Sequence, residues 1–178
     1  MQAITSQDIN TIAAASRILP ETEGTALLDR FQDRQPQFYE AIFGELSDAI
    51  AEDSFDMANL FLDLCFDIIF LYHRTQGEIP KQPEDERWLE VKMALLDAEL
   101  KSLVPGNAMN GNLTASLNDR FVDRCRAAGT PLALLAHLDE QVCQYASFDP
   151  SRPRAIPLVN NLLFVVVRLM DDIYDSRT

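Results

Sequence analysis

The chain has 178 residues, of which 47% are hydrophobic and 24% charged, and this composition is typical of a soluble globular protein with a real core. Its formal net charge of −13 disfavours nucleic acid and anionic membranes as partners, because both are bound through cationic side chains. The same charge favours a basic protein partner. We therefore predict one domain over residues 1–178, a protein partner, no nucleic acid and no membrane.

Helical periodicity, capping residues and the positions of proline and glycine predict helices along the whole chain, with no strand. Thr5 or Ser6 can cap the first helix, whose residues Ile9, Ile12 and Ile18 should face inward. Thr130 should cap the helix that begins at residue 132. The predicted helices span residues 6–19, 23–35, 36–50, 55–76, 83–103, 113–128, 132–147 and 157–175, and the turn residues of 104–112 indicate a loop.

The helix 55–76 is apolar on nearly every face, which predicts a central helix buried by neighbours on several sides. A narrow polar stripe is the exception, and Asp63 and Asp67 within it argue against a membrane span. Ser54 and Gly77 mark its two ends. The stripe consists of Asp56, Asn59, Asp63, Asp67 and Arg74.

An internal similarity indicates a duplication. Residues 27–34 and 117–124 share the pattern Leu-x-Asp-Arg-Phe-x-Asp-Arg, and residues 59–72 align with 161–174. We therefore predict an all-α, eight-helix bundle built from two similar four-helix repeats, about 6–77 and 83–178. The most apolar helices of the two repeats should pack face to face about a pseudo-twofold axis.

The repeated Asp-Arg-Phe motif has a structural and a functional interpretation. Arg30 and Asp33 are three residues apart, as are Arg120 and Asp123, so each pair can form a surface ion pair on its helix. The alternative is that the arginines bind an anionic ligand.

Asp63 and Asp67 lie four residues apart on one face of a mostly buried helix, where their like charges repel. Arg168 is the cation of the apolar stretch 162–170. It could form a buried ion pair with one of these aspartates, because the duplication places its helix against the central one. Solvent exposure of the stripe and a metal site are the alternatives. A di-iron site is not expected, because neither His73 nor His137 follows a glutamate at the required spacing. We assign Asp63, Asp67 and Arg168 to a ligand-binding or structural polar cluster.

The sequence Asp171-Asp172-Ile173-Tyr174-Asp175 resembles the DDxxD motif of terpene and prenyl-diphosphate synthases, whose carboxylates hold magnesium against a diphosphate. The second metal motif of those enzymes is missing, because Asn118-Asp119 is followed by Val122 and Arg126 rather than by Ser or Thr and Glu. We therefore expect these aspartates to form a solvated, fraying helix end.

Thiol, histidine and nucleotide motifs point to no reaction. Cys65, Cys125 and Cys143 include no CxxC pair and lie in helical apolar patterns, which predicts free, buried thiols. With no secretory signal visible at the N-terminus, these thiols indicate a reducing cytoplasm. We predict no catalytic residue, no cofactor and no metal.

The segment between Arg34 and Arg74 contains no lysine or arginine, and its carboxylates predict an interaction surface formed by Glu40, Glu45, Asp48, Glu52, Asp53 and Asp56. The leading functional hypothesis is a non-catalytic interaction or regulatory module that binds a basic protein and self-associates as a homodimer. The second is a small-molecule binder with an apolar pocket between the repeats. The weakest is a magnesium-dependent enzyme that uses Asp171, Asp172 and Asp175.

Overall fold

The computed structural model describes residues 4–85, 87–103, 123, 125 and 129–175, and every regular element in them is a helix. The predicted all-helical class is confirmed. The predicted loop 104–112, the predicted helix 113–128 and the repeat copy 117–124 lie outside this part, except for residues 123 and 125. The elements are α1 Ser6–Ser16, α2 Glu21–Arg34, α3 Pro36–Glu40, a π-helical segment Ala41–Leu46, α4 Ser47–Ala51, α5 Phe55–Gln76, α6 Trp88–Leu103, α7 Leu132–Ala146, a 3₁₀ segment Arg152–Ala155 and α8 Ile156–Asp175.

The long helix α5 lies at the centre and has the predicted ends. The Ser54 hydroxyl accepts a hydrogen bond from the Met57 amide at 3.4 Å, and Gly77 ends the helix with a φ of 88°. The helix contacts α1, α2, α4, α7 and α8, which explains its apolar sequence. Its buried residues are Met57, Ala58, Phe61, Leu64, Cys65, Ile68, Ile69, Phe70, Leu71 and Tyr72. Each large side chain among them contributes about 2 kcal/mol on burial. Within the described residues, no helix is long and apolar enough to cross a membrane.

The first helix is shorter than predicted. Thr5 caps α1 in a capping box, in which its hydroxyl accepts from the Asp8 amide at 3.2 Å and its own amide donates to the Asp8 carboxylate at 2.9 Å. The helix ends at Ser16 rather than residue 19. Ile18 therefore leaves the helical register and is 84% exposed, so the prediction that it faces inward is wrong.

The predicted helix 36–50 is one continuous path with an irregular middle. The segment Ala41–Leu46 is π-helical, which means that its hydrogen bonds run to the fifth residue along rather than the fourth. Phe38, Ile42 and Ile50 are fully buried and hold this path on the core. The wider turn brings the side chains of Glu40 and Glu45, five residues apart, into the lining of one cleft.

The linker after α5 is fastened to the junction between α2 and α3. The Gln35 side-chain amide, itself buried, donates to the Pro80 carbonyl at 2.9 Å. Arg34 donates to the Ile79 carbonyl at 3.0 Å and pairs with Glu78. The Ile79 side chain is fully buried. We call these contacts the linker clasp.

Helix α6 begins at Trp88, five residues after the predicted start at Pro83. The clasp explains the delay, because the Gln82 amide donates to the Arg34 carbonyl at 2.7 Å and keeps the chain extended there. Just before the helix, the Asp85 carboxylate accepts a hydrogen bond from the Arg87 amide at 2.9 Å.

Helices α7 and α8 pack on each other, and α8 also packs on α5 and α6. Thr130 does not cap α7 as predicted. Pro131 occupies the capping position without a side-chain hydrogen bond, and the Thr130 hydroxyl accepts from Arg168 at 2.7 Å. The bond from Arg168 therefore ties the start of α7 to the middle of α8.

Candidate functional site

The structure does not bring Arg168 to Asp63 and Asp67. Arg168 donates to Thr130, and among the described residues no ion pair joins it to either aspartate. Asp63 is exposed and Asp67 is half-buried. Asp67 lies on the side of α5 that faces α1, where Ser16 and Arg17 contribute to its environment. The predicted ion pair is therefore not formed. The polar stripe faces the surface instead, which is the solvent-exposed alternative.

Partial burial raises the pKa of Asp67, an effect that the Ser16 hydroxyl and the Arg17 charge partly offset. Partial burial also raises the pKa of Asp63. Asp67 and His137 line a cavity of about 20 Å³ between α1, α5 and α7. A space of that size holds about one water molecule, so it offers no room for the apolar ligand predicted beside this aspartate.

The aspartates of the DDxxD sequence have three different environments. Asp171 is 2% exposed, so the expectation of a solvated helix end is wrong for this residue. Asp172 is half-buried and pairs with Lys92 at 2.9 Å, whereas Asp175 is exposed. Residues 163, 167, 171 and 174 follow helical spacing and are all buried, so Asp171 continues the apolar stripe of α8. Among the described residues, no group of three acidic, histidine or cysteine side chains is arranged to hold a metal ion.

Asp171 is instead the centre of a polar network inside the core. The Tyr72 hydroxyl donates to its Oδ1 at 2.6 Å, whereas its buried Oδ2 has no hydrogen-bond partner among the described residues. Burial raises the pKa of Asp171 to about 7. The Tyr72 hydrogen bond and the charge of Arg168 oppose this rise, and the charges of Asp175 and Asp172 add to it.

The network around Asp171 joins α5, α8 and the residue Cys125. Burial and the neighbouring Asp171 also raise the pKa of Tyr72, so its hydroxyl stays protonated and acts as the donor. The Tyr72 and Tyr174 rings lie 5.6 Å apart, and Asp171 and Arg168 are both close enough to Cys125 to affect its thiol. The arrangement can hold a proton on Asp171 near neutral pH. None of the clefts described below opens onto it, so it has the character of a structural network.

The predicted interaction surface is exposed at all six positions. The side chains concerned are Glu40, Glu45, Asp48, Glu52, Asp53 and Asp56. Asp56 pairs with Arg152 at 2.6 Å, which stacks on the Tyr145 ring with 4.3 Å between the guanidinium carbon and the ring centre. Phe55, beside Asp56, is 70% exposed. The surface thus combines carboxylates with an exposed aromatic ring.

A cleft of about 410 Å³ crosses this surface between the π-helical segment and α6. Glu40, Glu45 and Glu90 contribute carboxylates to its lining, and Leu89 and Met93 contribute apolar side chains. Glu90 pairs with Arg87 at 3.3 Å. Neither Glu40 nor Glu45 forms an ion pair within the described part of the chain. We call this feature the acidic cleft.

Histidine and cysteine side chains form no catalytic pair in the described residues. His73 Nδ1 lies 3.1 Å from the Gly77 carbonyl oxygen at the end of α5. Cys65 and Cys125 are buried as predicted, but Cys143 is exposed, and its thiol donates to Asp139 at 3.8 Å. The helical pattern around Cys143 wrongly predicted a buried thiol, because α7 turns this residue away from the core.

Sequence reasoning missed the Tyr72–Asp171 pair, although two signals could have found it. Asp171 falls on the buried stripe of α8, and the aligned tyrosines Tyr72 and Tyr174 mark where the two apolar helices meet.

Comparison with known protein families, with curated proteins and with solved structures finds no match to this chain.

Proposed function

We propose that this protein is a non-catalytic interaction module that binds a basic, partly apolar segment of another protein in the acidic cleft. The observation that carries the proposal is the composition of the cleft, in which Glu40 and Glu45 face an apolar floor of Leu89 and Met93. A lysine or arginine side chain of a partner can pair with the glutamates while an aliphatic neighbour packs on the floor.

Other features of the protein surface also support a basic partner. The net charge of −13 attracts cationic chains over long range and accelerates their encounter. Phe55 provides an exposed aromatic ring near Asp53 and Asp56, and aromatic side chains are enriched among residues that dominate binding energy. The π-helical turn also supports the proposal, because such irregular turns occur frequently at functional sites.

The helices aligned by the internal similarity support a two-repeat architecture, which we propose as the finer description of the fold. Helices α5 and α8 contact each other, and their aligned residues Tyr72 and Tyr174 meet. Equivalent residues meet in this way where they lie on a twofold axis. On this proposal the module is an eight-helix bundle with its most apolar helices at the centre.

The test is calorimetric titration with a short amphipathic peptide of lysine and leucine. We expect binding that weakens as salt rises, because exposed charges are screened. The double variant Glu40→Gln/Glu45→Gln should bind about 10-fold more weakly, since two ion pairs of up to about 1 kcal/mol each are lost.

The matched control is Asp29→Asn/Asp33→Asn, which removes the same charge from exposed positions on α2. It should bind the peptide nearly as well as the wild type does. Equal weakening in both double variants would show that net charge alone attracts the peptide, and the acidic cleft would lose its role. Binding that is indifferent to salt would contradict the proposal as well.

A further inference from the structure

A second cleft, of about 450 Å³, lies where the corner between α1 and α2 crosses the last turns of α5. Leu19, Leu27 and Phe70 contribute apolar side chains to its lining, and the exposed Ile18 stands at the same corner. The volume is within the range of small-molecule sites, which is roughly 300–1,000 Å³. We call this feature the basic cleft.

The charge of the basic cleft is opposite to that of the protein as a whole. Arg30, His73 and Arg74 contribute to its lining, and Glu23 is the acidic residue there. Arg74 lies over the Phe70 ring with 5.6 Å between the guanidinium carbon and the ring centre. This group of cationic side chains therefore contrasts with the net charge of −13 of the whole chain.

The arginines of the basic cleft are not committed to carboxylates of the described residues. The predicted surface ion pair between Arg30 and Asp33 is not formed, and Arg74 forms no ion pair there either. The next arginine along α2, Arg34, is used in the linker clasp instead. The guanidinium groups of Arg30 and Arg74 are therefore available to an anionic ligand.

We propose that the basic cleft binds a small amphiphilic carboxylate, with its head group on Arg30 and Arg74 and its aliphatic tail along Leu19, Leu27 and Phe70. Guanidinium groups match the geometry of a carboxylate and can bind it through two parallel hydrogen bonds. The tail gains the free energy of removing apolar surface from water. A head group with a single negative charge is favoured over a doubly charged phosphate, because Glu23 and the acidic protein repel additional charge.

The test compares octanoate, octanol and acetate as ligands of the intact protein by calorimetry and by NMR of methyl groups. Octanoate should bind and shift the resonances of Ile18 and Leu27, whereas octanol should bind roughly tenfold or more weakly because it lacks the charge. Acetate, which lacks the tail, should give no measurable saturation. Equal binding of octanol and octanoate would overturn the proposal.

Variants then locate the site. Arg30→Gln and Arg74→Gln should each weaken octanoate binding roughly tenfold, and Ala26→Phe should block the cleft, since Ala26 is exposed and lines it. The matched control is Arg87→Gln, which removes an exposed arginine that does not line this cleft. Octanoate binding that is unchanged in the first three variants, or equally weakened in the control, would place the ligand elsewhere and overturn the proposal.

Discussion

Two carboxylates on opposite sides of α5 show how differently the same group is treated in this fold. Asp67 projects from α5 itself toward α1 and is half-buried, and the Ser16 hydroxyl and the Arg17 charge partly stabilise its charged form. Asp171 reaches α5 from α8, is almost fully buried, and accepts a hydrogen bond from the Tyr72 hydroxyl. The first is a surface charge with partial shelter, whereas the second is a core group whose charge state is coupled to stability.

The largest expected effect belongs to Asp171→Asn, which removes the titration without changing the size of the side chain. The pKa of Asp171 is raised from 3.8 to about 7 in the folded state. Its favourable contribution is therefore fully present below about pH 4 and is lost as the pH rises through about 7. We expect the wild type to lose about 4 kcal/mol more of its free energy of unfolding than Asp171→Asn does between about pH 4 and about pH 8.

Urea unfolding followed by circular dichroism at a series of pH values measures this difference. The control is Asp172→Asn, because Asp172 is the next residue but pairs with Lys92 near the surface. It should lose nearly as much stability with rising pH as the wild type does, with a slightly smaller loss because the charge of Asp172 adds to the raised pKa of Asp171. If Asp171→Asn keeps the wild-type pH dependence, Asp171 is charged in the folded core and the contrast with Asp67 disappears.

The next effect is that of Tyr72→Phe, which leaves the buried carboxyl group of Asp171 without its hydrogen-bond donor. A loss of about 1–3 kcal/mol is expected, because an unsatisfied buried polar group costs that much. The matched variant Tyr174→Phe removes a bond to the carbonyl of the exposed Gly77, which measures 3.2 Å, and should cost about 1 kcal/mol or less. Chemical denaturation compares the two, and equal losses would argue against a special role for Tyr72.

The smallest effect is expected for Asp67→Asn at neutral pH. Partial burial and the charge of Asp63 raise the pKa of Asp67, so removing the charge relieves both penalties. We expect a gain of up to about 0.5 kcal/mol in the free energy of unfolding. A loss of more than about 1 kcal/mol would mean that the nearby Ser16 hydroxyl and Arg17 charge outweigh desolvation, and that Asp67 stabilises the fold as a charged group.

Local signals predicted the elements well where a single physical cause decides the outcome. Ser54 and Gly77 set the ends of α5, and Thr5 caps α1 as expected. The predictions were wrong where a distant part of the chain intervenes. Helix α6 begins at Trp88 rather than at Pro83, because the Arg34 carbonyl holds the chain before it.

The site was harder to predict for the same reason. Spacing along α5 showed that Asp63 and Asp67 share a face, but it could not show whether that face meets α8 or the surface. We expected Arg168 to form an ion pair with these aspartates. It instead donates a hydrogen bond to Thr130, and its charge lowers the pKa of Asp171. Which carboxylate becomes buried depends on the rotation of two helices about their axes, and that rotation is set by packing over the whole core.

The linker clasp has a practical consequence for cutting or extending the chain. Residues 77–83 contain glycine and proline between two long helices, so their sequence resembles a site that accepts insertions or a protease. The carbonyls of Ile79 and Pro80 are hydrogen-bonded and the Ile79 side chain is buried, so a nick or a fusion partner there would have to release these bonds first. The turn at 147–151, with Ser147, Phe148 and Ser151 exposed, is the better place to attach a tag.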